Sequence, residues 1–233
     1  MQASRRLFIA ASAIAPIGCA TSLSRIHGVS VPAPTPIPAV RPPKIGQEWR
    51  YIERDFYSGH TRGVIVEKVS SIGQAITVSR ADADGSLLPS EIQEPYGMVK
   101  SDPHWGKVLN FNPAIPLWPQ QMSSNWNKQV FSKYSVSSYP QNQNGWQLYM
   151  SAGGWEKITV PAGEFITLRF QNLINYESID NNKMNCTRSE TIWFAPQIGR
   201  WVARESSGSY QIRDTIGPFL LEGSTKWELL SWA

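Results

Sequence analysis

The stretch EFITLRFQNLINY, from Glu164 to Tyr176, alternates apolar and polar side chains with the two-residue period of a β-strand. On an extended backbone Ile166, Leu168, Phe170, Ile174 and Tyr176 share one face, and Thr167, Arg169, Gln171 and Asn175 share the other, so one side is core and the other is wet. No helix-length amphipathic stretch competes with it. EWRYIERDFY, GVIVEKV and AITVSR are aromatic and β-branched runs separated by Ser, Gly and His, and they read as an opening meander. WEKITV is joined to the alternating strand by Pro161-Ala162-Gly163, and ETIWF to RWVARE by Ala195-Pro196-Gln197-Ile198-Gly199. Proline sets φ for a turn and glycine accepts the positive φ that many hairpin loops require, so both breaks predict hairpins. KWELLSW is the last strand. The expected fold is mainly β: a single antiparallel curved sheet or half-open β barrel. Residues Asn110 to Gln120, NFNPAIPLWPQ, hold too many prolines for a central strand and read as a long loop crossing a sheet face, with Leu117 and Trp118 as a lid over the trough.

The residues before this domain carry an address. A basic head, an apolar run from Leu7 to Ile17 and small residues from Gly18 to Ala20 make an export signal, because a membrane-spanning helix needs about 20 apolar residues. Ser4-Arg5-Arg6-Leu7-Phe8-Ile9 is similar to the twin-arginine signature; the alternative is a general secretory signal in which Arg5 and Arg6 only supply positive charge. Ile17-Gly18-Cys19 resembles the end of a bacterial lipobox, which would make Cys19 the acylated first residue of the mature protein. Pro16 departs from that pattern, and cleavage after Ala20 is the competing cut. Residues 31–43, VPAPTPIPAVRPP, favour polyproline II and predict a semi-rigid spacer of about 3 Å per residue. The expected organisation is an export signal over 1–18, a Pro-rich flexible tether over 19–44 and an antiparallel β domain over 45–233. The expected place is the periplasmic side of the cell envelope, with the outer membrane preferred over the inner because Ala20, not Asp, follows the cysteine.

Chemical signatures are sparse. The formal charge of +4 falls to +2 once Arg5 and Arg6 leave with the signal, too small to argue for nucleic acid. With Cys19 acylated or removed, Cys186 has no disulfide partner and reads as a buried, inert thiol. The three histidines are scattered and no pair has metal-ligand spacing. Asp102 and His104, beside Trp105, read as polar turn residues. RADADGSLLPSE has Asp82, Asp84, Gly85 and Glu91 at calcium-loop positions, but Arg80 stands where the first aspartate belongs, so Asp84-Gly85 reads as a tight turn. Glu190 and Glu205 sit on strands expected to pair. One register opposes them, whereas a shift of one sets Glu190 against Arg204 as an ion pair, which is the preferred reading. In GRWVARESSGSYQIR, strand alternation puts Arg200 and Arg204 on one face and Trp201 and Ala203 on the other. The arginines are a candidate cationic rim beside an apolar trough; the competing reading is a solvated face over a tryptophan core.

WEKITVPAGEF and ETIWFAPQIGRWV together resemble a family of exported bacterial proteins that share Val-Pro-Ala-Gly-x-Phe followed by Thr-x-Trp-(Tyr/Phe)-Ala-Pro-x-x-Gly-Arg. The matching residues are Val160, Pro161, Ala162, Gly163 and Phe165, then Thr191, Trp193, Phe194, Ala195, Pro196, Gly199 and Arg200. That family looks related to the half-open barrels LolA, LolB and RseB, which implies a sheet wrapped around an apolar trough. The matched positions are turn and packing residues and specify a fold, not a reaction. The resulting expectation is a monomeric, envelope-tethered, non-enzymatic lipoprotein without cofactor or metal, binding an apolar ligand or envelope partner in a curved sheet. An envelope hydrolase acting on glycan or lipid, and a structural protein with a filled core, are the alternatives.

Overall fold

The computed structural model describes residues 25–215 and 217–233. They form β1 (Val29–Ser30), β2 (Glu48–Asp55), β3 (Thr61–Ile72), β4 (Ile76–Asp82), β5 (Leu87–Gln93), β6 (Met98–Asp102), β7 (Leu109–Pro116), β8 (Asn127–Val136), β9 (Tyr139–Val160), β10 (Gly163–Tyr176), β11 (Lys183–Ala195), β12 (Arg200–Ile212) and β13 (Leu220–Trp232). Among these residues there is no α-helix, and none long and apolar enough to cross a membrane. The antiparallel β class is as expected, and the sheet closes completely. Each strand from β2 to β12 pairs with its successor in the chain, and β13 returns to pair with β2, so twelve strands make an up-and-down barrel. β1 adds outside the ring, on β9.

The alternation of β10 is realised from Leu168 onward, where Leu168, Phe170 and Ile174 are buried and Gln171 and Leu173 exposed; before it Thr167, expected on the wet face, is buried with its hydroxyl donating to the Glu156 carbonyl, and Ile166 is only half-buried. Both expected hairpins form. β9 turns into β10 with Gly163 opposite Val160. β11 turns into β12 through a 3-10 turn, Pro196–Ile198, that ends on Gly199 in the left-handed region at φ 64°. A Cβ at Gly199 would lie 2.6 Å from the Arg41 carbonyl oxygen, so backbone conformation and close approach both require glycine here.

The proline-broken stretch departs from the expected loop, for Leu109–Pro116 is strand β7. Its pairing with β8 runs from Leu109 to Asn112 and stops before Pro113. Its pairing with β6 is interrupted between Asn110 and Ile115. Pro113 therefore falls where the ladder is already broken, and Pro116, opposite Met98, is the last residue of the strand.

The segment expected as a free spacer lies along the barrel over its described part. The Ile26 amide donates to Glu205 Oε1 at 2.6 Å, Val29 and Ser30 pair with Lys157 and Glu156, and the Arg41 amide donates to the Pro196 carbonyl at 2.8 Å. Ile26 and Val40 pack against the core. The signal, with Arg5, Arg6 and Cys19, lies outside the described residues.

Candidate functional site

An eight-strand barrel is filled by ordinary side chains; a twelve-strand ring encloses more space and needs long ones. Tryptophans supply part of the filling, Trp201 and Trp227 packing at 5.4 Å and Tyr51 stacking on Trp201 at 3.9 Å. Arginine and glutamate supply the rest. The Arg200 guanidinium donates two parallel hydrogen bonds to Glu91, at 2.8 and 2.9 Å, and a further one to Glu67 Oε2 at 2.7 Å. Arg80 Nε donates to the other Glu67 oxygen at 3.2 Å. A second group forms where Arg204 Nη2 reaches Glu190 Oε1 at 2.6 Å, with Arg188 Nε 3.0 Å from the same oxygen and Asn172 donating to Oε2 at 3.1 Å.

Asp102 and His104 belong to this interior, not to a wet turn. His104 Nδ1 lies 2.6 Å from Asp102 Oδ1 and Nε2 lies 2.7 Å from Glu67 Oε1. Trp105 Nε1 donates to Asp102 Oδ2 at 3.1 Å. Burial alone would raise the Glu67 pKa, but Arg200, His104 and Arg80 outweigh it and hold the carboxyl far below its ordinary range. Burial is likewise outweighed at Asp102 by His104 and Arg204, and at Glu190 by Arg204 and Arg188, and both pKa values are lowered. For His104, burial and Arg80 push downward, Asp102 and Glu67 more than offset them, and the pKa is raised.

This arrangement ties up its own chemistry. A carboxylate paired to arginine is a poor general base, and an imidazole with both nitrogens on carboxylates has no face left for a substrate proton. Glu67, Glu91 and Glu190 are claimed by arginines and Asp102 by His104 and Trp105, and no group of described His, Cys, Asp and Glu residues is arranged to hold a metal ion. Space inside is small: an interior cavity of about 40 Å³ bordered by Asp102, Trp105, Trp146, Asn172, Glu190 and Arg204. Ligand pockets are usually several hundred Å³, so this volume suits a few waters.

A larger concavity lies at the barrel end bearing the β6–β7 and β10–β11 loops. Trp105, Lys107, Tyr134, Tyr176, Ile179 and Lys183 line a groove of about 400 Å³. Trp105 is its floor: the ring also borders the interior cavity, packs edge-on against Trp146 at 4.9 Å, and carries the Arg188 guanidinium 3.9 Å above its face. Tyr176 Oη donates to Glu222 Oε1 at 2.5 Å, and Lys183 pairs with the same carboxylate.

The expected site residues fall differently from the sequence reading. Arg200 and Arg204 do not form an exposed rim; both are drawn inside. The shared face expected for them is broken by a bulge: Phe194 pairs with Trp201 but Trp193 pairs with Ala203, so Val202 is an extra residue and Arg204 moves to the face of Trp201. Trp201 and Arg204 consequently border the same cavity. The ladder sets Ile192 against Arg204 and Thr191 against Glu205, neither of the two registers considered, and the preferred Glu190–Arg204 ion pair forms diagonally. Trp118, expected on a lid, is 6% exposed and stacks on Phe194 at 4.7 Å; Leu117 is half-buried and borders the interior cavity. Cys186 is buried, and burial raises its thiol pKa. Asp82 and Asp84 cap their turn by accepting from the Ser86 amide, each at 2.9 Å.

No family model matches this chain, and no curated protein matches it. Two solved structures do. One is a candidate lipoprotein from Parabacteroides distasonis ATCC 8503, 14% identical, with a TM-score of 0.52. The other is a candidate exported protein with a YmcC-like fold from Bacteroides fragilis NCTC 9343, also 14% identical, with a TM-score of 0.50. Each alignment covers 84% of this chain and 99% of the other. At that identity the likeness speaks for architecture alone: the chain shares the barrel fold of these two proteins.

Proposed function

We propose that this chain is an envelope lipoprotein, anchored through Cys19, that acts without catalysis as a binding or assembly module. Support for export and anchoring comes from the signal and lipobox residues, and from the lipoprotein and exported-protein descriptions of the two structural neighbours. The observation that carries the reading is the contrast between a charged, nearly filled interior and the open aromatic groove of about 400 Å³ at one end. An apolar or amphipathic ligand therefore binds at the groove and not inside the sheet. Acyl-precursor labelling of the wild type, lost in Cys19→Ser, tests the anchor. For the groove, N-phenyl-1-naphthylamine should bind saturably with enhanced fluorescence, and Ile179→Asp should weaken it about tenfold, roughly the 1.4 kcal/mol of one lost apolar contact set. Absence of saturable binding, or binding indifferent to Ile179→Asp, would remove the groove from consideration and leave the filled-core structural protein.

A further inference from the structure

We infer that the paired ends of β12 and β13, at Ile212 and Phe219–Leu221, are a membrane-contacting surface and that its partner is the phospholipid bilayer carrying the Cys19 anchor. The inference rests on the lipoprotein reading and adds an orientation to it. Arg25 is the first described residue, and its guanidinium lies 5.9 Å from the centre of the Phe56 ring, in the β2–β3 turn. Between Cys19 and Arg25 there are 25 − 19 = 6 residue steps. A fully extended chain of that length reaches roughly 20–22 Å. Because the segment after Arg25 is docked and not free, a lipid anchor at Cys19 holds the barrel wall close to the headgroups.

The direction follows from the register. The last pairing of β13 with β2 before the Phe56 turn is Thr225 with Asp55. The β13 residues before Thr225 pair only with β12, as far as Leu220 opposite Tyr210. From Thr225 back to Phe219 the hairpin projects roughly 20 Å along the strand, or about 15 Å along the axis at the usual tilt. It thus extends past Arg25 by a distance comparable to the reach of the anchor. Its side chains suit the apolar boundary: Phe219, Leu220, Leu221 and Ile212 are 53%, 40%, 66% and 37% exposed. Exposed aromatic and aliphatic side chains on both faces of a strand end nearest an acyl anchor are the composition of an interfacial contact. The groove-forming loop between β10 and β11 lies at this same end, since Lys183 pairs with Ile212, so the groove opens toward the bilayer.

The test uses the full chain, expressed with its signal and reconstituted in phosphatidylethanolamine–phosphatidylglycerol vesicles. An environment-sensitive fluorophore is placed on Leu221→Cys or, at the opposite end, on Ile45→Cys, each with Cys186→Ser. Brominated acyl chains should quench the Leu221 probe at least twofold relative to ordinary lipid and leave the Ile45 probe unchanged. Quenching at Ile45 alone, or at neither site, overturns the orientation. A Leu221 probe shielded equally with and without bromine, and cross-linked between molecules, assigns the tip to a second copy and also overturns it. Acyl labelling separates the two levels: a labelled protein with an unquenched Leu221 probe defeats this inference only, whereas absent labelling defeats the anchor and the inference with it.

Discussion

His104 has no ring nitrogen to spare. Asp102 and Glu67 each demand a donor, Arg80 and Glu91, the latter 3.8 Å from Nδ1, complete its surroundings, and only the imidazolium has two N–H groups to give. A basic group whose folded pKa is raised contributes stability that is fully present below its unfolded value of about 6.5 and is lost as pH rises through the folded value. The lowered carboxyls of Glu67, Asp102 and Glu190 work oppositely, their contribution being present above about pH 4 and lost on further acidification. Urea unfolding should therefore show a plateau between roughly pH 4 and 6.5 and a decline on the alkaline side that His104→Gln abolishes. Long-range nitrogen NMR should find both His104 ring nitrogens protonated at neutral pH. Removing one partner from so buried a set should cost about 3–5 kcal/mol. None of this was legible at Asp102 and His104 in sequence, because the deciding partner, Glu67, is far along the chain and charge pairing has no periodicity to betray it. Trp118 is a second case. Its ring lies where a Cβ on Gly97, itself at φ 82°, would sit 2.7 Å away. Trp118→Ala should cost about as much as Phe170→Ala, about 3–5 kcal/mol, and Gly97→Ala should also destabilise. A small loss for Trp118→Ala by denaturant titration would restore the movable lid.

At the level of elements, regular alternation was readable and interruptions were not. β10 carries an unbroken period of two through its central part, and its buried and exposed sides match that period. β12 has the same kind of sequence, but one extra residue at Val202 exchanges the faces beyond it, which no composition rule signals. In β7 the prolines argued correctly against a continuous ladder and wrongly against a strand, since this strand is discontinuously paired. The spacer illustrates a different limit: polyproline II geometry follows from composition, but whether the segment stays in water depends on apolar residues between the prolines. Val40 is one of these, packed against the core. Val40→Asp should destabilise the protein by about 1–2 kcal/mol and lower Tm by roughly 2–8 °C, measured by calorimetry. An unchanged Tm would mean that the docked segment contributes nothing to the fold.

For the whole molecule, the ring imposes an order on its own assembly. All its strand pairs but one join neighbours in the chain, and each hairpin can form as soon as its two strands exist. The exception is β13 with β2, where Leu229 meets Tyr51. Closing so long a loop costs more entropy than any hairpin turn, and that cost grows with the logarithm of the intervening length. Since β13 follows every other strand in the chain, an emerging polypeptide carries a growing meander with two unpaired edges until Leu220–Trp232 arrives. Such edges invite pairing with other chains. A chaperone or export receptor that shields Glu48–Asp55 during this interval would therefore hold the strand that waits longest for its second partner.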